Sequence, residues 1–169
     1  EIDAVKASID EREIGTMNPH IRSIVAYNAE SKVVESMRPN GVLMGQITPR
    51  GGIISGTSTV VQFDAWNWED AALKIDDGIH MNWSNSITFG RWWAGEDPGA
   101  KANNSYPKTI QNLENYFDEA KNYLNGKRNP ENLEFEAVTG LLNGSKKLFV
   151  HTNGEREITD AIHFANKYN

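Results

Sequence analysis

The sequence predicts an α/β fold, a parallel sheet covered by helices, on three observations. Between Ala29 and Thr48 the run AESKVVESMRPNG reads as a helix closed by Pro39, Asn40 and Gly41, and VLMGQIT follows as a buried strand. Ile110, Leu113, Phe117, Ala120 and Leu124 recur every three or four residues, which puts them on one apolar stripe of a longer helix that Gly126 ends. KKLFVH reads as a strand leading directly into a capped helix. Helix and strand units in alternation are the pattern of a layered α/β fold, and an open doubly wound sheet and a barrel both satisfy it.

The remaining elements follow in chain order. PRGGIISGTS reads as a Gly-rich loop and TVVQFDAW as a second short strand or an extended edge. NWEDAALK predicts a brief helical turn, where Asp64, Glu69 and Asp70 form a solvated acidic cluster favoured by the positive end of the helix dipole. In GIHMNW, Ile79, Met81 and Trp83 alternate with His80 and Asn82, the period-two pattern of a strand with one buried face. Residues 84–108 show no sustained periodicity and are expected to form a long loop. Loops beyond about 12–15 residues are usually functional or disordered, and Phe89, Trp92, Trp93 and Tyr106 predict that this one packs.

Asn129 is the expected cap of NPENLEFEAVTGLLNG, with Pro130 in the first helical position and Gly144 closing the helix. Thr152 or Asn153 caps the last helix, whose apolar stripe is Ile158, Ala161, Ile162 and Ala165. The chain has no internal repeat, and its 169 residues are expected to form one domain.

Composition excludes several function classes. A formal charge of −6 offers no electrostatic footprint for phosphate backbones or anionic lipid headgroups, so neither nucleic acid nor a membrane is an expected partner. No apolar run approaches the roughly 18 residues of a membrane span, and a soluble cytoplasmic or periplasmic protein is expected. Without cysteine, any transition metal must bind through His, carboxylate or water. The dinucleotide pattern GxGxxG is absent, since RGGIISG has different spacing and no clear helix after it.

The run NPHIRSIVAYNAESKVVESMRPNGVLMGQITPRGGIISGTSTVVQFD, with its P-x-G-x-I-I-x-G loop, resembles the amidohydrolase superfamily in its imidazolonepropionase-related branch. DAWNWEDAALKIDDGIHMNW and KKLFVHTNGEREITDAIHFANKY extend the resemblance over essentially the whole chain. What it implies is a partial (β/α)8 TIM barrel of the metal-dependent hydrolase type, with the site at the C-terminal ends of its strands. The implied activity is hydrolysis of a carbon–nitrogen bond in a small-molecule amide by a water activated on a divalent metal, zinc first. None of His20, His80, His151 and His163 is one residue from another, so the family's His-x-His pair is expected before Glu1 and its later His and Asp ligands beyond Asn169. The chain is therefore expected to be an internal piece of the barrel, inactive alone and prone to self-association as a homo-oligomer. A non-catalytic barrel homologue that binds a ligand, and an independent α/β domain sharing local patterns, are the competing readings.

Of the candidate residues, His151 stands at a strand end and resembles the family's fifth-strand metal ligand. His80 is expected on the polar face of its strand, in a polar pairing or substrate contact. Arg50 and Ser55, in the Gly-rich loop, are the candidate substrate contacts there. His20 and His163 are expected to be structural or solvated. All five tryptophans fall between Asp64 and Ala94, and anchoring of the loop by burial is the favoured reading over ligand stacking.

Overall fold

The computed structural model describes residues 13–126 and 128–168. Helix α1 (Lys32–Met37) starts where the Ser31 hydroxyl accepts the Val33 N–H, and it closes through a 3-10 turn at Arg38–Asn40. Strand β1 (Met44–Ile47) follows, with alternate residues exposed. It is not the buried strand expected, because among the described residues it is the edge of the sheet and pairs only with β2 (Ile54–Gln62). The Gly-rich segment enters the sheet at Ile54, earlier than its glycines suggest. Its Thr and Val residues suit a strand paired on both sides, and six consecutive residues from Ile54 are buried.

Helix α2 (Trp68–Ala71) is the predicted short turn, capped by Asn67, whose side-chain oxygen accepts the Asp70 N–H at 2.8 Å. Strand β3 (Ala72–Asn82) runs on from it. The expected loop of 84–108 contains a small hairpin of β4 (Ile87–Phe89) and β5 (Ala100–Ala102). Helix α3 (Tyr106–Asn125) buries Leu113, Phe117 and Ala120 as the spacing requires. Helix α4 (Leu133–Leu142) begins three residues later than expected. Asn132, not Asn129, is the cap, its oxygen accepting the Glu134 and Phe135 N–H groups. Strand β6 (Lys147–His151) and helix α5 (Glu155–Tyr168) complete the described chain.

The sheet order is β1-β2-β3-β6. The expectation of an all-parallel sheet is corrected: β1 with β2 and β2 with β3 are antiparallel, and β3 with β6 is parallel. A parallel pair needs a long crossover, and α3 and α4 lie in the segment between β3 and β6. The result is a mixed α/β structure whose sheet curls as a half-barrel. No helix among the described residues is long and apolar enough to cross a membrane.

The two faces of the sheet differ in chemistry. Ile54, Ile79 and Met81 are buried against Leu113, Phe117, Val138, Ala161 and Phe164 of the covering helices. Phe117 sits edge-on to Phe164 at 5.0 Å between centroids, and each fully buried side chain of this kind contributes roughly 1.5–3 kcal/mol. On the other face the register pairs Gly56 with His80 and Ser58 with Gly78 across β2 and β3, and His80 with Phe149 and Asn82 with His151 across β3 and β6.

Two burial expectations fail for physical reasons. Helix α5 is rotated by one residue from the predicted stripe, burying Glu157, Ala161 and Phe164 while Ile158 and Ile162 stay 43% and 55% exposed. Phe164 decides the rotation, because its ring fills the space beside Phe117 and Trp83. The loop aromatics do not anchor it: Phe89, Trp92 and Trp93 are each more than two thirds exposed, and Trp66 is 91% exposed. A hairpin of two three-residue strands covers too little surface to bury three large rings. Trp83 and Tyr106 are the aromatics of this stretch that enter the core.

Candidate functional site

The parallel pairing of β3 and β6 brings their C-terminal ends side by side, with Asn82 opposite His151. Two residues earlier, His80 is opposite Phe149, and the two rings stack at 4.7 Å. Gly78 makes room for this stack, since a Cβ there would meet the Phe149 ring and the Lys147 carbonyl oxygen at 2.6 Å each. The His80 ring then leans along the strand toward the mouth. Its Nδ1 lies 2.8 Å from Nε2 of His151, with ring centroids 5.1 Å apart.

His80 is buried, and that burial, with the nearby His151 ring, pushes its pKa down to about 4, against a smaller opposing pull from Asp77. It is therefore neutral at pH 7, and one member of the pair donates to the other. Nε2 of His80 is buried without a partner among the described residues. An orphaned N–H is rarer than an under-used acceptor, so His80 carries its hydrogen on Nδ1 and donates it to His151 Nε2. His151, in its neutral form, then carries its own hydrogen on Nδ1. His151 itself is exposed and lines a cleft of about 410 Å³ with Asn82, Trp83, Asn85, Val150, Thr152 and Asn153.

The cleft walls are tied together from behind. Asn82 Nδ2 donates to the Gly52 carbonyl at 3.0 Å and to Ser55 Oγ at 2.9 Å, so the Gly-rich segment braces the mouth. Beneath His80, Gln46 Nε2 donates to Ser58 Oγ and to Asp77, and the Lys74 ammonium pairs with Asp77, chiefly holding its carboxyl below the usual range. The loop after β3 is fastened to α5 by Glu157, whose Oε1 accepts the Ser86 N–H at 2.6 Å, and that bond is the main reason its pKa is low. The Trp83 indole N–H donates to the Tyr106 hydroxyl, which donates to Asp160.

Of the residues singled out from sequence, His80 and His151 come together. Ser55 sits one step behind them, buried against Asn82. Arg50 is exposed and outside the cleft lining. His20 is half-buried with Nδ1 unpartnered, and His163 is exposed on α5; neither lines the cleft. Sequence reasoning missed Asn82 and Glu157. Asn82 was legible as the polar residue at the end of the same alternation that marked His80. Glu157 carried only the signal of an acid in a first helical turn.

The fold has a solved counterpart. The structure is similar to that of an amidohydrolase from Thermotoga maritima MSB8, with a TM-score of 0.77 and 19% sequence identity. The match covers 99% of this chain and 45% of that one, so this chain spans less than half of that protein. At this identity the likeness speaks for the fold. No family model and no curated protein matches the sequence.

Proposed function

We propose that this chain forms part of the barrel of a hydrolase that cleaves a carbon–nitrogen bond in a small amide, lactam or N-acyl substrate. The observation that carries the reading is the His80–His151 pair at the C-terminal ends of a parallel strand pair, where barrels of this kind place their sites. His151 is the residue that meets substrate. With Nε2 occupied by His80, its other ring nitrogen offers the cleft a hydrogen-bond donor that polarises a carbonyl oxygen and stabilises the charge developing there. His80 is a positioning residue: buried, neutral and stacked on Phe149, it holds the His151 ring in one orientation and tautomer. Asn82, Asn85, Thr152 and Asn153 surround the pair with uncharged donors and acceptors suited to an amide.

The zinc ion that the resemblance implies does not fit the described residues alone. A catalytic zinc takes about three protein ligands at about 2.0–2.1 Å, which sets two tetrahedral nitrogen donors about 3.3 Å apart. His80 Nδ1 and His151 Nε2 are closer, at 2.8 Å, and among the described residues no group of three His, Asp or Glu side chains is placed to hold an ion. The pair supplies at most part of such a site, and no step of the proposed chemistry is routed through the metal.

The longest protein that carries this chain, assayed against a panel of lactams and N-acyl amines with divalent metal added or chelated, is expected to hydrolyse at least one of them. Replacing His151 by Ala is expected to lower kcat/KM by about 100-fold or more, the scale of a lost carbonyl-polarising donor. Hydrolysis that survives His151→Ala unchanged, or no turnover under any metal condition, overturns the proposal.

A further inference from the structure

A second cleft, of about 570 Å³, opens at the other end of the sheet. It is lined by residues around α1 and by Phe63, Asp64, Ala65 and Trp66, which follow β2. There β2 pairs with the beginning of β3, Val61 against Ala72, whereas His80 lies near its end. Eight residues of strand separate the two, about 25 Å at the usual rise. This cleft is therefore independent of the histidine pair.

Its chemistry is specific. The floor is apolar, with Val34 and Phe63 both buried. At the rim stands the Trp66 indole, 91% exposed, so among the described residues almost no protein atom rests against it. Five charged side chains line the walls, and four are already paired: Lys32 Nζ with Glu35 at 2.6 Å, and Arg38 Nη1 with Asp64 at 2.6 Å. Glu30 is the fifth, and its carboxylate has no ion-pair partner among the described residues. Among the described residues the cleft thus presents an open aromatic face, an apolar floor and one uncompensated negative charge. A cation is drawn to the face of an indole by its quadrupole, more strongly than to any other aromatic side chain.

We infer that this cleft is a binding site for an organic ammonium ion, a primary or quaternary amine with an apolar body, which stacks on Trp66 and is neutralised by Glu30. A carboxylate or phosphate ligand would meet a lining of three carboxylates and two cations, which carries a net negative charge. An uncharged ligand would gain the floor and the ring but not the charge.

The test is a titration of the intact protein with tetramethylammonium, followed by the indole N–H resonance of Trp66 in two-dimensional NMR and assigned by its loss in Trp66→Phe. The expected result is a saturable shift of that resonance, with the indole of Trp83 unmoved. Affinity should fall about 2- to 5-fold in Glu30→Gln, the range of an exposed ion pair, and about 3- to 30-fold in Trp66→Leu, read from Ala65 and Asp64 amide shifts. Both residues are exposed, and unchanged far-ultraviolet circular dichroism should confirm that the variants fold. An equal shift with uncharged tert-butanol, binding unaffected by Glu30→Gln, or no saturable shift with tetramethylammonium each overturns the inference.

Discussion

The two faces of strand β3 are built from neighbouring residues and do opposite things. Ile79 and Met81 point into a helix-covered core without any exposed surface, while His80 and Asn82 belong to the polar face that meets Phe149 and His151. On the helix side, packing fixes the positions of the strands. On the polar side, those fixed positions hold two imidazoles at hydrogen-bond distance and brace Asn82 against Ser55. The strand alternation thus separates the residues packed under the helices from those that line the approach to the cleft.

The largest effect is expected on the core side. Phe117 is 2% exposed and contacts Phe164, Tyr168 and Tyr116. Phe117→Ala should cost about 3–5 kcal/mol of unfolding free energy, measured by urea titration, because the covering helices cannot collapse into the space of a whole ring. A loss below about 1 kcal/mol would mean that the helix layer is not what holds the sheet.

The next effect belongs to the polar side and appears with pH. His80 has a folded-state pKa of about 4, below its ordinary 6.5. The unfolded chain therefore takes up the proton first, so the stability due to neutral His80 is complete above pH 6.5 and is lost as pH falls from 6.5 toward 4. The loss should reach about 2–3 kcal/mol, from about 1.36 kcal/mol for each pH unit between the two values, with some allowance for solvent. Asp77, held low chiefly by Lys74, adds its own loss only below its ordinary value of 3.8, so the two windows are separable. Urea midpoints measured in steps across this range should show the first decline in the wild type and not in His80→Asn.

Much of this division is legible in the sequence. The alternation in GIHMNW places His80 opposite Ile79 and Met81, and KKLFVH places His151 at a strand end. What no local pattern contains is the register of β3 against β6, which is set by a crossover of more than sixty residues and turns two separate histidines into a pair. The antiparallel order of β1, β2 and β3 is hidden for a similar reason: the glycines of RGGIISG read as a loop, whereas two-sided pairing makes a strand of ISGTSTVVQ. The apolar stripe misplaces helix α5 by one position because it weighs all apolar residues equally, and a Phe at 164 outweighs an Ile at 162 when a core has room for a ring.

A smaller effect isolates the pair itself. The neighbouring His151 ring is the second cause, after burial, of the low pKa of His80. His151→Gln keeps an acceptor near His80 and removes that neighbour, so the His80 pKa should rise above 4 while remaining under 6.5. Following the His80 Cε1–H resonance against pH checks this directly. Because His151 is exposed, the cost to stability at pH 7 should stay near about 1 kcal/mol, the net worth of one hydrogen bond. An unmoved His80 pKa would show that the two rings do not sense each other.

The smallest effect tests where the face distinction ends. Trp83 is buried, donates its indole N–H to Tyr106 and meets Phe164 edge-on at 5.5 Å. Trp92, nine residues later, is 76% exposed in the turn region between β4 and β5. The same residue type is a wall of the core at one position and solvated surface at the other. Trp92→Ala should therefore change unfolding free energy by no more than about 0.5 kcal/mol, the range of surface substitutions. A cost near the roughly 3–5 kcal/mol of a core aromatic would show that the Trp92 ring is covered in solution. Size-exclusion chromatography of wild type against the variant would then show whether a second copy covers it: a dimer that becomes a monomer on substitution would place the hairpin at that interface.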